Sequence, residues 1–353
     1  MCRSRPRGRL LPVVGGACNA RTVISAYAPG RVNLIGEHTD TTGGLALPLA
    51  IDLGTTVTGT RGGDRIRLRS ADEPAMVDLP LRVDDPAAVT PGWGRYVAGV
   101  VAELAPTDGF DGTVSTTLPV GAGLSSSAAL ELAVALALGF EGSSQALARL
   151  GQRAERRAVG VPCGVMDQLA SAAGVARHAL LLDCSSLAVT PVPLPEDLEV
   201  VAVHSGERRS LAGSPYGERR AAVEAAEQVV GPLRTITEVR VLDVIEDPVL
   251  RRRARHVVTE NQRVRDMVAA LRAGDEPAVG VLLAEGHASL AHDFEVSTPR
   301  LDELVAHLSG RRGVLGARLT GAGFGGCAVV VCRPGSLEMG WRLTASAGAR
   351  RLL

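Results

Sequence analysis

The chain runs to 353 residues, of which 46% are apolar, 22% charged and 3% aromatic. That profile fits a globular enzyme of two domains, or one large one, and excludes a disordered or fibrous chain. Its 38 basic and 38 acidic residues cancel, which removes the generic electrostatic case for nucleic acid or an anionic membrane as partner. Every basic residue is arginine, because no lysine occurs. A pyridoxal phosphate Schiff base, a Walker A loop and the strand lysine of protein kinases are thereby closed off. Phosphate chemistry here falls to arginine, a metal or backbone N–H groups. Nothing approaches eighteen uninterrupted apolar residues, so no membrane span is expected.

At the start, Arg3, Arg5, Arg7 and Arg9 precede a short apolar run broken by Pro12 and then Cys18. This loosely imitates a secretory signal with a lipid-modified cysteine, but the run is too short. Residues 1–20 are read as a disordered arm or a misassigned start, and the protein as cytoplasmic. Six cysteines in so long a chain imply reduced thiols, with Cys163 and Cys327 as small packing residues.

A strand is expected over Val23 to Ala28. It leads into Ala28-Pro29-Gly30-Arg31-Val32-Asn33-Leu34-Ile35-Gly36-Glu37-His38-Thr39-Asp40-Thr41-Thr42-Gly43-Gly44. Glu37, His38 and Asp40 put two carboxylates and an imidazole within four residues, beside glycines that permit sharp turns. Such a segment can bracket sugar hydroxyls, or can be a solvated turn after a strand. Next comes Leu118-Pro119-Val120-Gly121-Ala122-Gly123-Leu124-Ser125-Ser126-Ser127-Ala128-Ala129-Leu130, running into an apolar helix over Leu130 to Leu138. A glycine turn and serines at a helix start offer N–H groups and the positive end of the helix dipole to an anion. The plainer reading is that Ser125 or Ser126 merely caps the helix.

Strand-like runs follow at Ala179 to Cys184, Leu198 to Val203 and Ala328 to Cys332, interspersed with helices, which argues a mixed α and β protein. A domain boundary near residue 190 rests on the prolines of Thr190 to Pro195. One helix is expected from about Arg251 to Leu271, closed by Gly274. Another is capped by Ser297 or Thr298, opens on Pro299, buries Leu301, Leu304, Val305 and Leu308, and closes at Gly310. Leu319-Thr320-Gly321-Ala322-Gly323-Phe324-Gly325-Gly326-Cys327 holds four glycines in six residues. That loop either packs on another backbone or closes over a ligand.

Together and in this order, these segments resemble the galactokinase branch of the GHMP small-molecule kinases. Gly30 to Asp40 is similar to the galactokinase signature, Gly123 to Ala128 to the phosphate loop, and Thr320 to Cys327 to the third motif. Pro162-Cys163-Gly164-Val165-Met166-Asp167-Gln168 resembles the catalytic-aspartate segment, and Ser214-Pro215-Tyr216 with Arg219-Arg220 the sugar-contacting tyrosine region. The likeness covers about residue 24 to the end.

The resemblance implies an α+β, two-domain GHMP kinase fold with the active site in the cleft between the domains, 21–190 and 191–353. It implies transfer of the ATP γ-phosphoryl group to the anomeric hydroxyl of a sugar, above all α-D-galactose, in the Leloir route of galactose metabolism. Related kinases of N-acetylgalactosamine, arabinose or a uronic acid, and non-catalytic sugar and ATP sensors, share the motifs. By position, Asp167 would face the sugar hydroxyl with Arg31 as its partner. Glu37, His38, Asp40, Gly164 and Tyr216 would hold the sugar. Gly121, Gly123, Leu124, Ser125, Ser126, Ser127 and Trp93 would hold ATP, and Ser127 with Glu155 would hold Mg²⁺. Partners would be sugar and ATP alone, with a monomer as default. The sequence departs from the family at Thr41-Thr42, where Tyr-Asn is usual. It departs again between Arg333 and Trp341, where a helix is missing, so an uncovered apolar face and marginal stability are expected.

Overall fold

The computed structural model describes residues 22–119, 121–160, 163–207 and 216–352. The arginine-rich start, Pro162 and Ser214-Pro215 lie outside them. In the first half, β1 (Val23–Asn33), β2 (Leu45–Ala46), β3 (Pro48–Arg61), β4 (Arg65–Ser70) and β5 (Val77–Pro80) precede α1 (Gly94–Leu104) and β6 (Phe110–Thr116). Three helices follow, α2 (Ser126–Ala137), α3 (Ser144–Val159) and α4 (Met166–Ala173), and then the hairpin of β7 (His178–Asp183) and β8 (Ala188–Pro193). The second half holds β9 (Glu199–His204), α5 (Tyr216–Val230), α6 (Pro248–Ala273), α7 (Glu276–His292) and α8 (Pro299–Ser309). It ends with β10 (Val314–Leu319), β11 (Cys327–Cys332), β12 (Trp341–Leu343) and β13 (Arg350–Leu352).

Three sheets organise the described residues, ordered β13-β1-β3-β6-β4-β5, β2-β7-β8 and β10-β11-β9-β12. The proline-rich stretch after residue 190 is the end of β8, paired to β7 along its length. The chain passes to the four-stranded sheet between Pro193 and Glu199. The halves are not fully separate, because β13 returns to pair antiparallel with β1.

Local chemistry explains the elements that matter to the site. In β1 the register shifts between Pro29 and Arg31, and such a bulge re-aims the side chains beyond it. Gly30 is required there, since a Cβ would lie 2.5 Å from the Leu124 carbonyl oxygen. Without that Cβ, Arg31 N–H reaches the same oxygen at 3.2 Å and pins Leu124 to the strand. Helix α2 starts at Ser126, four residues before the apolar run that marks it in the sequence, because its first turn is built of serines. Helix α8 begins and ends as its sequence implies, with Thr298 accepting from Leu301 N–H.

The four-stranded sheet shows the period-two alternation of a strand buried on both faces. Val200, Ala202, Val329 and Val331 face Val279 and Leu283 of α7. Val201, Val203, Ala328 and Val330 face Val305 and Leu308 of α8. This second face is not bare, contrary to the expectation from the sequence. The short turn between β11 and β12 inserts Leu337, 4% exposed, into the cluster, and Val203 beside it is 6% exposed. Arg342 holds the turn down, donating to the Leu337 carbonyl at 3.0 Å and pairing with Glu199 at 2.9 Å. Marginal stability therefore has no basis in this region.

Candidate active site

One cavity of about 670 Å³ runs between the two halves, lined from 31–40, 121–130, 155–159, 163–168, Tyr216, Gly321 and Ala322, with an outer end at Ser70, Trp93 and Tyr96. Its size suits a small ligand held by a few convergent polar groups. Arg31, Glu37, His38, Asp40, Trp93, Gly121, Gly123, Ser125, Ser126, Ser127, Glu155, Gly164, Asp167 and Tyr216 all line it. Leu124 is the exception: it is buried, and its carbonyl serves Arg31.

At the centre, Arg31 grips Asp167 with both arms of its guanidinium. Nε donates to Oδ1 and Nη2 to Oδ2, each at 2.8 Å, while Nη1 donates to the Gly123 carbonyl at 2.8 Å. Planar two-point pairing of this kind fixes direction as well as charge. Ser125 completes the arrangement, its hydroxyl donating to Asp167 Oδ2 at 2.6 Å. Ser125 makes no side-chain cap to α2 and sits at φ +60°, a left-handed conformation costly for a residue with a Cβ. The plain capping reading of that serine is thus wrong, since its hydroxyl is spent on the aspartate. Gly121 and Gly123, at φ +78° and +79°, let the loop make this approach.

Toward one end, Ser127 of α2 donates to Glu155 Oε1 of α3 at 2.8 Å. A hydroxyl and a carboxylate facing one cavity are the hard oxygen donors that Mg²⁺ or Ca²⁺ prefers. No group of three or more Asp, Glu, His or Cys among the described residues could hold a metal. A cation at this pair would therefore lean on phosphate oxygens and water. Trp93 lies at the outer end, with Nε1 donating to the Ala75 carbonyl at 3.0 Å and its ring packed partly on the core.

At the other end, Asp40 sits over Gly164 and accepts from Met166 N–H at 3.3 Å. A Cβ on Gly164 would lie 1.7 Å from Asp40 Oδ2, so only glycine fits. Burial, reinforced by the charge of Asp167, pushes the Asp40 carboxyl up to about 6. His38, at φ +64°, packs its ring 4.4 Å from Phe294 and 5.7 Å from Tyr216, forming an aromatic wall. Burial pushes the Tyr216 phenol up, which keeps it a neutral donor.

Glu37 is turned away from open solvent, 1% exposed, and paired to Arg318 of β10 while accepting from Gly321 N–H at 3.3 Å. Arg318 also pairs at 2.9 Å with Glu260 of α6, which pairs at 2.7 Å with Arg263 and accepts from Gly36 N–H at 2.9 Å. Burial pushes Glu37 up to about 7 despite the guanidinium. Glu260, between two arginines, is held below the usual carboxylate range although burial opposes it. The two carboxyls share Arg318, and a first proton goes to Glu37.

Arg318, Glu260, Gln168 and Glu131 carry no role in the sequence reading. The available signals were a lone charge in the apolar strand Val314–Leu319 and an acid inside the apolar run after Leu130. Cys163 lines the cavity, but burial pushes its thiol up, and Cys327 is buried, so neither is an activated nucleophile.

Fold and site together define a GHMP kinase. The family models for the GHMP kinase N-terminal and C-terminal domains match residues 95–175 and 267–338, and the galactokinase galactose-binding signature matches 16–61. The fold is that of the crystal structure of Lactococcus lactis galactokinase complexed with galactose, at a TM-score of 0.87 and 31% identity over 94% of this chain and 95% of that one. Methanococcus jannaschii mevalonate kinase shares the fold more distantly, at a TM-score of 0.62 and 21% identity over 90% of this chain and 92% of that one.

The chain belongs to the galactokinase family. It is 43% identical to the galactokinase of Homo sapiens over 333 residues, 88% of this chain and 84% of that one, and 44% identical to that of Roseiflexus sp. (strain RS-1) over 335 residues, again 88% and 84%. The signature match starts at residue 16, inside the stretch set aside as an arm. An ATP-dependent kinase of this family implies a divalent cation. Among the described residues no helix is long and apolar enough to cross a membrane.

Proposed function

We propose that this chain transfers the γ-phosphoryl group of ATP to the anomeric hydroxyl of α-D-galactose. The observation that carries the reading is the Arg31, Asp167 and Ser125 junction, which stands where the sugar-side wall meets the glycine loop inside one cavity. Phosphoryl transfer needs little covalent help from a protein, so positioning and charge neutralisation supply the acceleration. Asp167 accepts a hydrogen bond from the attacking hydroxyl and can take its proton. Arg31 holds the carboxylate in place, and its positive charge stabilises the negative charge that builds up between hydroxyl and phosphoryl group. Glu37, His38, Asp40, Gly164 and Tyr216 form the sugar side. Gly121, Gly123 and Ser125 to Ser127 form the phosphate side, with Trp93 toward the base.

Ser127 and Glu155 would hold Mg²⁺, which would neutralise phosphate charge. Coupled ADP-release assays on the purified protein against a panel of aldohexoses test the reading. Galactose should turn over and its epimer glucose far less, because a polar pocket rejects a substrate that leaves its buried groups unpaired, at about 1–3 kcal/mol per group. Equal kcat/KM for the two epimers, or no ADP from galactose, would overturn it.

A further inference from the structure

Behind the Ser127 and Glu155 pair lies a buried carboxyl that the proposed chemistry does not use. Glu131 stands one turn after Ser127 on α2 and is 0% exposed. Gln168 is also 0% exposed, on the first turn of α4 and next in sequence to Asp167. Its Nε2 donates to Glu155 Oε2 at 2.8 Å and to Glu131 Oε2 at 3.2 Å. One amide group thus bridges two carboxyls on different helices, and Glu155 ends with one oxygen held by Ser127 and the other by Gln168.

A buried acid without a cation beside it costs several kcal/mol, so its presence in an apolar helix calls for a reason. Burial and the charge of Glu155 push the Glu131 carboxyl well above its ordinary value. Its Oε2 accepts from Gln168, so it stands as a hydrogen-bond partner behind the amide that holds Glu155. Glu131 does not line the cavity, whereas Gln168 and Glu155 do. Partners behind a metal-binding carboxylate fix its rotamer, and losing them weakens metal binding by about 10- to 100-fold.

We infer that Gln168, backed by Glu131, is the positioning pair that aims the Glu155 carboxylate at the cation of the nucleotide. The inference rests on the reading of Ser127 and Glu155 as cation ligands. Helix α4 carries Asp167 on one side and Gln168 on the other, so one helical turn sets both the sugar-facing carboxylate and the cation-facing one.

The test is Mn²⁺ binding to the full-length protein with ADP, followed by electron paramagnetic resonance, alongside the Mg²⁺ dependence of turnover. Gln168→Leu and Glu131→Leu should weaken Mn²⁺ about tenfold or more while the galactose KM stays within about twofold. Glu131→Gln keeps an oxygen that can accept from Gln168 and should restore binding to near the parent value, which separates positioning from packing. Metal-free ADP affinity and the melting temperature serve as folding controls. Unchanged Mn²⁺ binding in Gln168→Leu, with binding lost in Glu155→Gln, would overturn the inference and leave the cation reading standing. Unchanged binding in Glu155→Gln as well would overturn the cation reading beneath it.

Discussion

Asp167 and Glu37 are each gripped by an arginine, Arg31 and Arg318, and each pair joins segments far apart in the chain. The two settings differ in what is left open. Asp167 keeps 31% of its side chain exposed, on the cavity, while Arg31 is 2% exposed. Glu37 and Arg318 are 1% and 0% exposed, and Arg318 is shared with Glu260 from the opposite side. The same kind of ion pair therefore leaves one carboxylate edge open to the cavity, where the proposed sugar would bind. Where both partners are sealed, it ties the 36–40 segment to β10 and α6. A fully buried pair adds little net stability against an apolar alternative, but removing one partner is severe, because the other is left charged and unsatisfied.

The largest effect should fall on the open pair. Asp167→Asn, close to isosteric, should lower kcat by about 100- to 10,000-fold and leave sugar and ATP binding within about tenfold. Steady-state kinetics with direct binding checks this, and near-normal turnover would move the catalytic role elsewhere. On the sealed pair the loss should appear as stability. Arg318→Met should cost about 3–5 kcal/mol in denaturant unfolding, since it leaves Glu37 buried without a cation and Glu260 with one arginine instead of two, while Arg31→Met should cost clearly less. Similar costs for both would erase the distinction drawn here.

A smaller effect concerns pH. Asp40, pushed up to about 6, must ionise to accept from sugar hydroxyls at both oxygens, and Glu37, pushed up to about 7, must ionise to pair fully with Arg318 and hold the 36–40 segment that carries Asp40. Galactose kcat/KM should therefore rise as pH rises through 6 and 7, and Asp40→Asn should flatten the lower part of that rise. Both carboxyls bind protons more tightly folded than unfolded, so their share of folding stability is full below about 4 and is lost as pH rises through 6 and 7. A galactose kcat/KM flat from pH 5.5 to 8 would contradict their placement on the sugar side.

Smallest for catalysis is the short turn between β11 and β12. Leu337→Ala should cost about 2–3 kcal/mol of stability, at the low end for a buried leucine, without changing kcat. No change in unfolding free energy would mean that Leu337 does not cover the sheet.

The open pair was legible in the sequence and the sealed one was not. Arg31 and Asp167 sit in two segments whose resemblance to the GHMP kinases names them as partners, although each segment alone also allowed a plainer reading. Arg318 meets Glu37 across 281 positions. Only a lone charge in an apolar strand marks it, and that pattern does not name a partner. Ser125 looked like a cap because caps are local, whereas its actual partner lies 42 positions away. Strand β13 was invisible because three exposed residues, Arg350–Leu352, carry no apolar alternation. The short stretch between Arg333 and Trp341 was visible in the sequence, but the tuck of Leu337 onto the sheet is a tertiary event.

In the proposed reaction Asp167 acts at the anomeric hydroxyl of galactose. Phosphorus nuclear magnetic resonance of the product formed from galactose and MgATP tests it most directly, run in parallel on the parent protein and on Asp167→Asn at matched fold and matched galactose-induced rise in Tm. The expected result is a phosphomonoester on the anomeric carbon from the parent and none from the variant. Phosphate on another carbon, or the same product from Asp167→Asn at a comparable rate, would contradict it.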